Sequence, residues 1–293
     1  MRRILLTLEF HGKGFFGWQR QGPDRSVQGV VEAAVADLVG HPVSVQSSGR
    51  TDRGVHARAM PAHVDVVSRL PCRELLNAIN ARLPDDVAVR AAREADPRFH
   101  ARFDALSKLY RYSLLRSRAR SPLQADRTHL APRQLDTEAM RAAAALFVGT
   151  HDFKSFQASP DDKTPDAGQP DTTADTVGPA ALAHGDFTPP PWRKARPQGT
   201  VRTITRCELV EREDLLRIEV AGNGFLRGMV RALAGSLLEI GLGKQSPEWL
   251  GTLLDVKDRK EAGPNLPPQG LTLLRVDYPP EPFEGREAYL ATV

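Results

Sequence analysis

Apolar residues recur at alternate positions from Arg3 to Phe10, through Ile4, Leu6, Leu8 and Phe10, which predicts a first strand. The spacing then changes. Val27, Val30, Val31, Ala34, Val35 and Leu38 form a helical stripe, with Ser26 placed to cap its start and Gly40 to end it. "PVSVQ" and "MPAHVDVV" predict two more strands. "CRELLNAINARL" turns Leu75, Leu76, Ile79 and Leu83 to one side of a helix that Pro84 stops, and "VAVRAARE" predicts the next strand. The order is β-α-β-β-α-β.

The second half repeats that order. "LYRYSLLR" predicts a strand, and a helix opens at Asp136 and runs to Val148 before Gly149. "VRTITRCELVE" and "LLRIEV" predict a hairpin, and Gly224 to Ile240 predicts a long helix carrying Phe225, Met229, Leu233 and Leu237. A short helix capped at Ser246 is extra, and "LTLLRVDY" supplies the last strand. Two split β-α-β units in tandem predict an α+β fold of the ferredoxin-like kind, with antiparallel sheets, helices on one face and a cleft between the units. We place the units at 1–105 and 106–293. Residues 157–198, rich in Pro, Asp, Thr, Ala and Gly, read as a mobile insertion in the second unit. Its basic end, "WRKARP", could touch phosphate, but reads first as a solvated loop end.

Composition adds one hint. The net charge is only +4, yet arginine outnumbers lysine about fourfold. Arginine's planar fork suits phosphate and stacks on bases, so the bias fits a nucleic-acid partner; a GC-rich genome would produce it equally well. The two cysteines, Cys72 and Cys207, form no C-x-x-C pair and no metal-like cluster, which points to a reducing, cytoplasmic compartment. No apolar run reaches membrane-spanning length, and Glu9 ends the first one too early for a signal peptide.

The chemistry concentrates in "SSGRTDRGVHARA", Ser47 to Ala59. Asp52 stands between Arg50 and Arg53, with Gly49 and Gly54 on either side. Adjacent arginines would hold the carboxyl ionised and lower its pKa, which suits a nucleophile or a base better than a general acid. A salt-bridged surface turn is the plainer alternative. Downstream, Arg98, Arg102, Lys108, Arg111, Arg116, Arg118, Arg120 and Arg127 face only Asp104 and Asp126, which fits a phosphate track. Tyr110 and Tyr112 share one face of a strand, either as core filler or as stacking rings. Arg231, inside the long apolar helix, either bridges to Glu239 or turns toward Asp52. "GKGFFG" is a literal G-x-G-x-x-G, but its helix starts only after Ser26, too late to face a pyrophosphate.

Together these blocks carry a resemblance. "GFFGWQRQ", "SVQGVVEAAV", "SGRTDRGVHA", "FHARFDALSKLYRY", "VGTHDFKSF", "GNGFLRGMVRALAGSLLEIGLGK" and "PPQGLTLLRVDY" occur in the order found in the TruA family of tRNA pseudouridine synthases, which the chain resembles almost end to end. The resemblance implies an RNA isomerase that turns uridine into pseudouridine at positions 38 to 40 of the tRNA anticodon stem-loop. It places the catalytic aspartate at Asp52 and substrate-binding roles at Tyr110 and Arg231; Arg50, beside Asp52, is a further substrate-binding candidate. It implies no cofactor, no metal, no membrane, and a homodimer in which one tRNA touches both subunits. Arg53 stands where many relatives have alanine, and the 157–198 insertion is longer than is usual in bacterial relatives.

Overall fold

The strands join into one sheet. The computed structural model describes residues 1–158 and 189–290; the body of the 157–198 insertion lies outside the described residues. In the first half, β1 (Arg2–Phe10) is followed by α1 (Val27–Val39), β2 (Val45–Ser47), β3 (His56–Val66), α2 (Cys72–Asn80) and β4 (Val87–Ala95). In the second half come β5 (Ser107–Arg116), β6 (His129–Ala131), α3 (Thr137–Ala145) and β7 (Gly149–Asp152). β8 (Val201–Arg212), β9 (Leu215–Gly222), α4 (Met229–Gly241), α5 (Trp249–Val256), β10 (Leu271–Asp277) and β11 (Ala288–Leu290) complete it. The strands join as β11-β4-β1-β3-β10-β5-β9-β8-β7, with β2 beside β3 and β6 beside β5.

Local chemistry sets the helix ends where the pattern put them. Ser26 Oγ accepts a hydrogen bond from Gly29 N at 3.2 Å, and Gly40 closes α1 in the left-handed region at φ 75°. A cap of this kind is worth about 1 kcal/mol. Asp136 caps α3 in the same way, accepting from Ala139 N at 2.9 Å. The long helix departs from expectation. α4 begins at Met229, because residues 224–226 are irregular and the chain turns only at Arg227–Gly228, with Gly228 at φ 69°. Phe225 therefore precedes the helix rather than lying in it.

The seam between the halves positions the site. Strand β10 lies antiparallel to β5, pairing Leu273 with Tyr110, and parallel to β3, pairing Leu273 with Ala57 and Thr272 with His56. Tyr110 thus sits two strands from Ala57, about 10 Å at the usual strand spacing. The Ser48–Val55 loop enters β3 just before that register point, so the seam brings this loop beside β5. One apolar core runs across both halves, from Leu6 and Val31 to Ile218 and Leu237. A smaller one gathers Phe99, Leu5, Ala95, Ala101 and Phe283. Tyr112 belongs to the core: its ring is buried and its hydroxyl donates to Pro267 O at 2.7 Å.

Candidate active site

The Asp52 loop is held from both sides. Its ends are fixed by the antiparallel pairing of β2 with β3, continued by Ser48 N donating to Pro61 O at 2.8 Å. Its tip is clasped by the "GKGFFGW" segment. Trp18 N donates to Thr51 O at 3.1 Å, and Gly12 N donates to His56 Nδ1 at 3.0 Å. Gly17 makes this approach possible. It has φ +98°, and a Cβ there would lie 2.5 Å from Thr51 O. Gly54, φ +79°, turns the chain back into β3. The glycine-rich segment that looked like a nucleotide motif is therefore a short 3-10 turn that buttresses the loop.

The loop opens into a cleft of about 790 Å³ lined by both halves of the chain. Asp52 keeps 30% of its side chain exposed to it. Beneath lies Arg231, 2% exposed, with Nη1 3.6 Å from the Asp52 carboxylate. Arg231 is anchored elsewhere too: its Nε donates to Leu266 O at 2.6 Å. Glu239, the alternative partner, pairs with Lys244 at 3.1 Å instead. Tyr110 lines the cleft with its ring edge-on to Phe225, centroids 5.2 Å apart. Arg50 lines the cleft as an exposed side chain.

The electrostatics correct one expectation. Burial pushes the Asp52 carboxyl above its ordinary value, against the pull of the Arg231 and Arg227 guanidiniums. The neighbours in sequence contribute less than their positions suggested, because Arg53 lies over the Phe16 ring at 4.1 Å and Arg50 is exposed. The sign of the consequence is plain. For any chemistry that uses Asp52 as a carboxylate, activity would fall as pH drops through the Asp52 pKa. The acid limb of kcat/KM is expected at a pH above about 4, the ordinary aspartate value. A limb at or below that value would contradict the assignment. Burial and the nearby Asp52 charge also raise the Tyr110 pKa, so its hydroxyl stays protonated in the resting site.

The basic tract is corrected as well. Arg98 pairs with Asp96 at 3.1 Å, Arg111 with Glu219 at 2.6 Å and Arg116 with Glu211 at 2.7 Å. Of the eight cations read as a track, only Arg102 and Lys108 line the cleft. Other cations take their place: Lys194, Arg196, Arg202 and Arg227 line it alongside Arg50 and Arg53. "WRKARP" is a wall of the cleft and not a free loop end. Pattern reading missed Arg202 and Arg227; the only signal for Arg227 was its place in "GNGFLRG", beside the turn into α4.

Comparison with known proteins decides the family. A family profile described as tRNA pseudouridine synthase matches residues 7–104 and 185–279. The tRNA pseudouridine synthase A of Geobacter sp. (strain M21) is 40% identical over 280 residues, covering 95% of this chain and all of the relative. That of Syntrophotalea carbinolica is 40% identical over 281 residues, covering 96% and 98%. That of Neisseria gonorrhoeae is 37% identical over 279 residues, covering 95% and 92%. The chain belongs to the tRNA pseudouridine synthase family. The cleft holds a carboxylate beside a buried cation, a ring and a cationic rim. Among the described residues no group of three or more His, Cys, Asp or Glu stands ready for a metal, and no helix is long and apolar enough to cross a membrane.

Proposed function

We propose that this synthase isomerises uridine to pseudouridine at positions 38 to 40 of the tRNA anticodon stem-loop, with Asp52 as the catalytic carboxylate. The observation that supports it most is the Asp52–Arg231 pair at the mouth of a cation-rich cleft, in a member of this family. The reaction breaks the bond between ribose C1′ and uracil N1, turns the base, and forms a bond from C1′ to C5. C5 loses its proton and N1 gains one, so the product is an isomer and no energy source is consumed. Asp52 acts on the ribose, as nucleophile at C1′ or as base toward a sugar proton. Arg231 holds the carboxylate aimed and preorganised, at no reorganisation cost during reaction. An extruded uridine gives the loop its target, and a closed cleft keeps the detached uracil from water.

Tyr110 would hold that uracil by stacking, and its hydroxyl would help remove the C5 proton. Tyr110→Phe keeps the ring and removes the hydroxyl. We expect near-unchanged tRNA affinity with turnover down about 10²-fold or more, the usual scale for a lost proton-transfer partner. Filter binding and single-turnover kinetics measure the two separately; unchanged turnover would confine Tyr110 to stacking.

A glycoside hydrolase would need a second carboxylate about 5 to 9.5 Å from the first. The other carboxylate lining the cleft among the described residues, Asp104, is fully buried and ion-paired with Arg193. The two-unit organisation at 1–105 and 106–293, a cytoplasmic site of action and a homodimer that grips one tRNA with both subunits belong to the same reading. Mapping pseudouridine in tRNA from cells with and without the protein tests it. Loss confined to positions 38 to 40 is expected, and an unchanged map would overturn it.

A further inference from the structure

Phe16 stands apart from the other aromatic residues. Among the described residues it is the one phenylalanine, tyrosine or tryptophan that is exposed, at 50%. A single exposed apolar residue is ordinary in itself. The surroundings of this one are not. Phe15, just before it, is buried, whereas Phe16 lines the cleft together with Asp52 and Tyr110.

Backbone contacts fix Phe16 beside the Asp52 loop. Phe16 N donates to Arg25 O at 2.9 Å, and Gly54 N, on the loop, donates to Phe15 O at 3.4 Å. Gly17 O accepts from Val27 N, the first residue of α1, at 3.2 Å. A Cβ on Gly17 would lie 3.2 Å from Asp52 C and 3.3 Å from Arg53 N, so the residue after Phe16 packs directly on the Asp52–Arg53 peptide. On the other side, the Phe15 ring lies under the Arg25 guanidinium, 4.1 Å from its centroid. Arg25 is itself held by two hydrogen bonds to Asp86, of 2.7 and 2.8 Å. Phe16 is thus an exposed ring on a backbone tied down at both neighbours.

Arg53 braces that ring. Its guanidinium lies 4.1 Å from the Phe16 centroid, and Arg53 is exposed as well. The contact restrains the ring while half of the residue stays open. A ring ordered in advance costs little further entropy to stack upon, and every nucleobase has a flat face to offer. The place selects the ligand. A uridine extruded toward Asp52 leaves its neighbouring bases without a stacking partner at the rim of the same cleft. Tyr110 is not open to them: it is 9% exposed and is already proposed for the detached uracil.

We propose that the Phe16 ring, braced by Arg53, is a stacking platform for the nucleobase that adjoins the target uridine in the RNA. This rests on the reading of the cleft as an RNA-modifying site, and adds to it contact with a base beside the reacting one. Such a platform tolerates any base, because stacking reads a flat face and no particular edge.

The test is a binding cycle with the full chain and tRNA in which abasic nucleotides are placed one at a time from position 37 to 41. On intact tRNA, Phe16→Ala is expected to raise Kd about tenfold, the scale of one lost base–aromatic stack. Its salt slope should equal that of wild type, because no charge is lost. Phe16→Trp should bind like wild type and Phe16→Leu like Phe16→Ala, since the ring supplies the contact. One abasic position should weaken wild type by a similar factor and Phe16→Ala by less than about twofold. In salt high enough to screen charge, Arg53→Ala should raise Kd a few-fold with Phe16 present and not in Phe16→Ala. Phe16 is exposed, so melting temperatures should stay at the wild-type value. Wild-type affinity in Phe16→Ala would overturn the platform, as would abasic losses equal in wild type and Phe16→Ala at every position. A fall in kcat with affinity intact would put the ring on the reacting uracil and overturn it too. Binding is read without turnover: a wild-type protein that formed no pseudouridine would end the reading of the reaction, and the cycle would still decide the platform.

Discussion

Asp52→Asn is expected to bind tRNA and to form no measurable pseudouridine. The substitution keeps the shape of the side chain, and an amide still fits beside Arg231. It removes the one property the proposed mechanism needs, a negative oxygen that can act on the ribose. That oxygen is also scarce. Asp52 is the only carboxylate lining the cleft, among the described residues, that is not locked in the Arg193 pair. No other described carboxylate of the cleft is available in its place, so the loss should reach the floor of a single-turnover assay, at least about 10³-fold. Filter binding should place Kd within a few-fold of wild type, because the substitution leaves the cationic walls intact. Residual turnover within tenfold of wild type would remove Asp52 from the chemistry.

The second large effect belongs to Arg231. Arg231→Met keeps the length and loses the charge and the fork. Two things then fail together. Leu266 O loses its Nε–H partner inside the core, and Asp52 loses the cation that holds its charge. Breaking a buried pair costs about 3–5 kcal/mol. Here the figure should be nearer about 2–3 kcal/mol, since Asp52 keeps 30% of its side chain exposed and water screens it. For a chain of this size that amounts to a Tm lower by roughly 3–5 °C. Turnover should fall about 10²–10³-fold, the scale of a lost preorganised charge. A pH profile separates the catalytic part from the structural one. Without Arg231 the Asp52 pKa rises further, so the acid limb of kcat/KM moves to higher pH. Arg231→Lys should recover stability only in part, because an ammonium cannot reach both partners in the geometry of a guanidinium. An acid limb that stayed in place in Arg231→Met would show that the two groups are not coupled.

Much of this was legible in the sequence, and the reason is locality. The α1 cap at Ser26, its left-handed stop at Gly40 and the β8–β9 hairpin depend on residues within one turn of each other, and all stand where the pattern put them. The start of α4 did not, because an apolar run cannot announce that Gly228 must first turn the chain. Long-range facts were less legible still. The parallel pairing of β3 with β10 joins residues more than 200 positions apart, and no local period encodes it. The ion pair between Asp104 and Arg193 spans 89 positions, so "WRKARP" read as a solvated end until its partner was seen. The same limit produced the wrong sign for the Asp52 pKa. Sequence showed the adjacent Arg50 and Arg53, whereas the balance is set by burial against the remote Arg231 and Arg227. Charge neighbours can be read from a string of letters; desolvation cannot.

The most direct test of the central claim follows the hydrogen on C5. Wild-type protein is given tRNA labelled with tritium at C5 of uridine, under single-turnover conditions, and both solvent tritium and free uracil are counted. The account predicts one tritium released for each pseudouridine formed, no free uracil, and neither release nor product with Asp52→Asn. Free uracil without pseudouridine, or tritium release undiminished in Asp52→Asn, would contradict it.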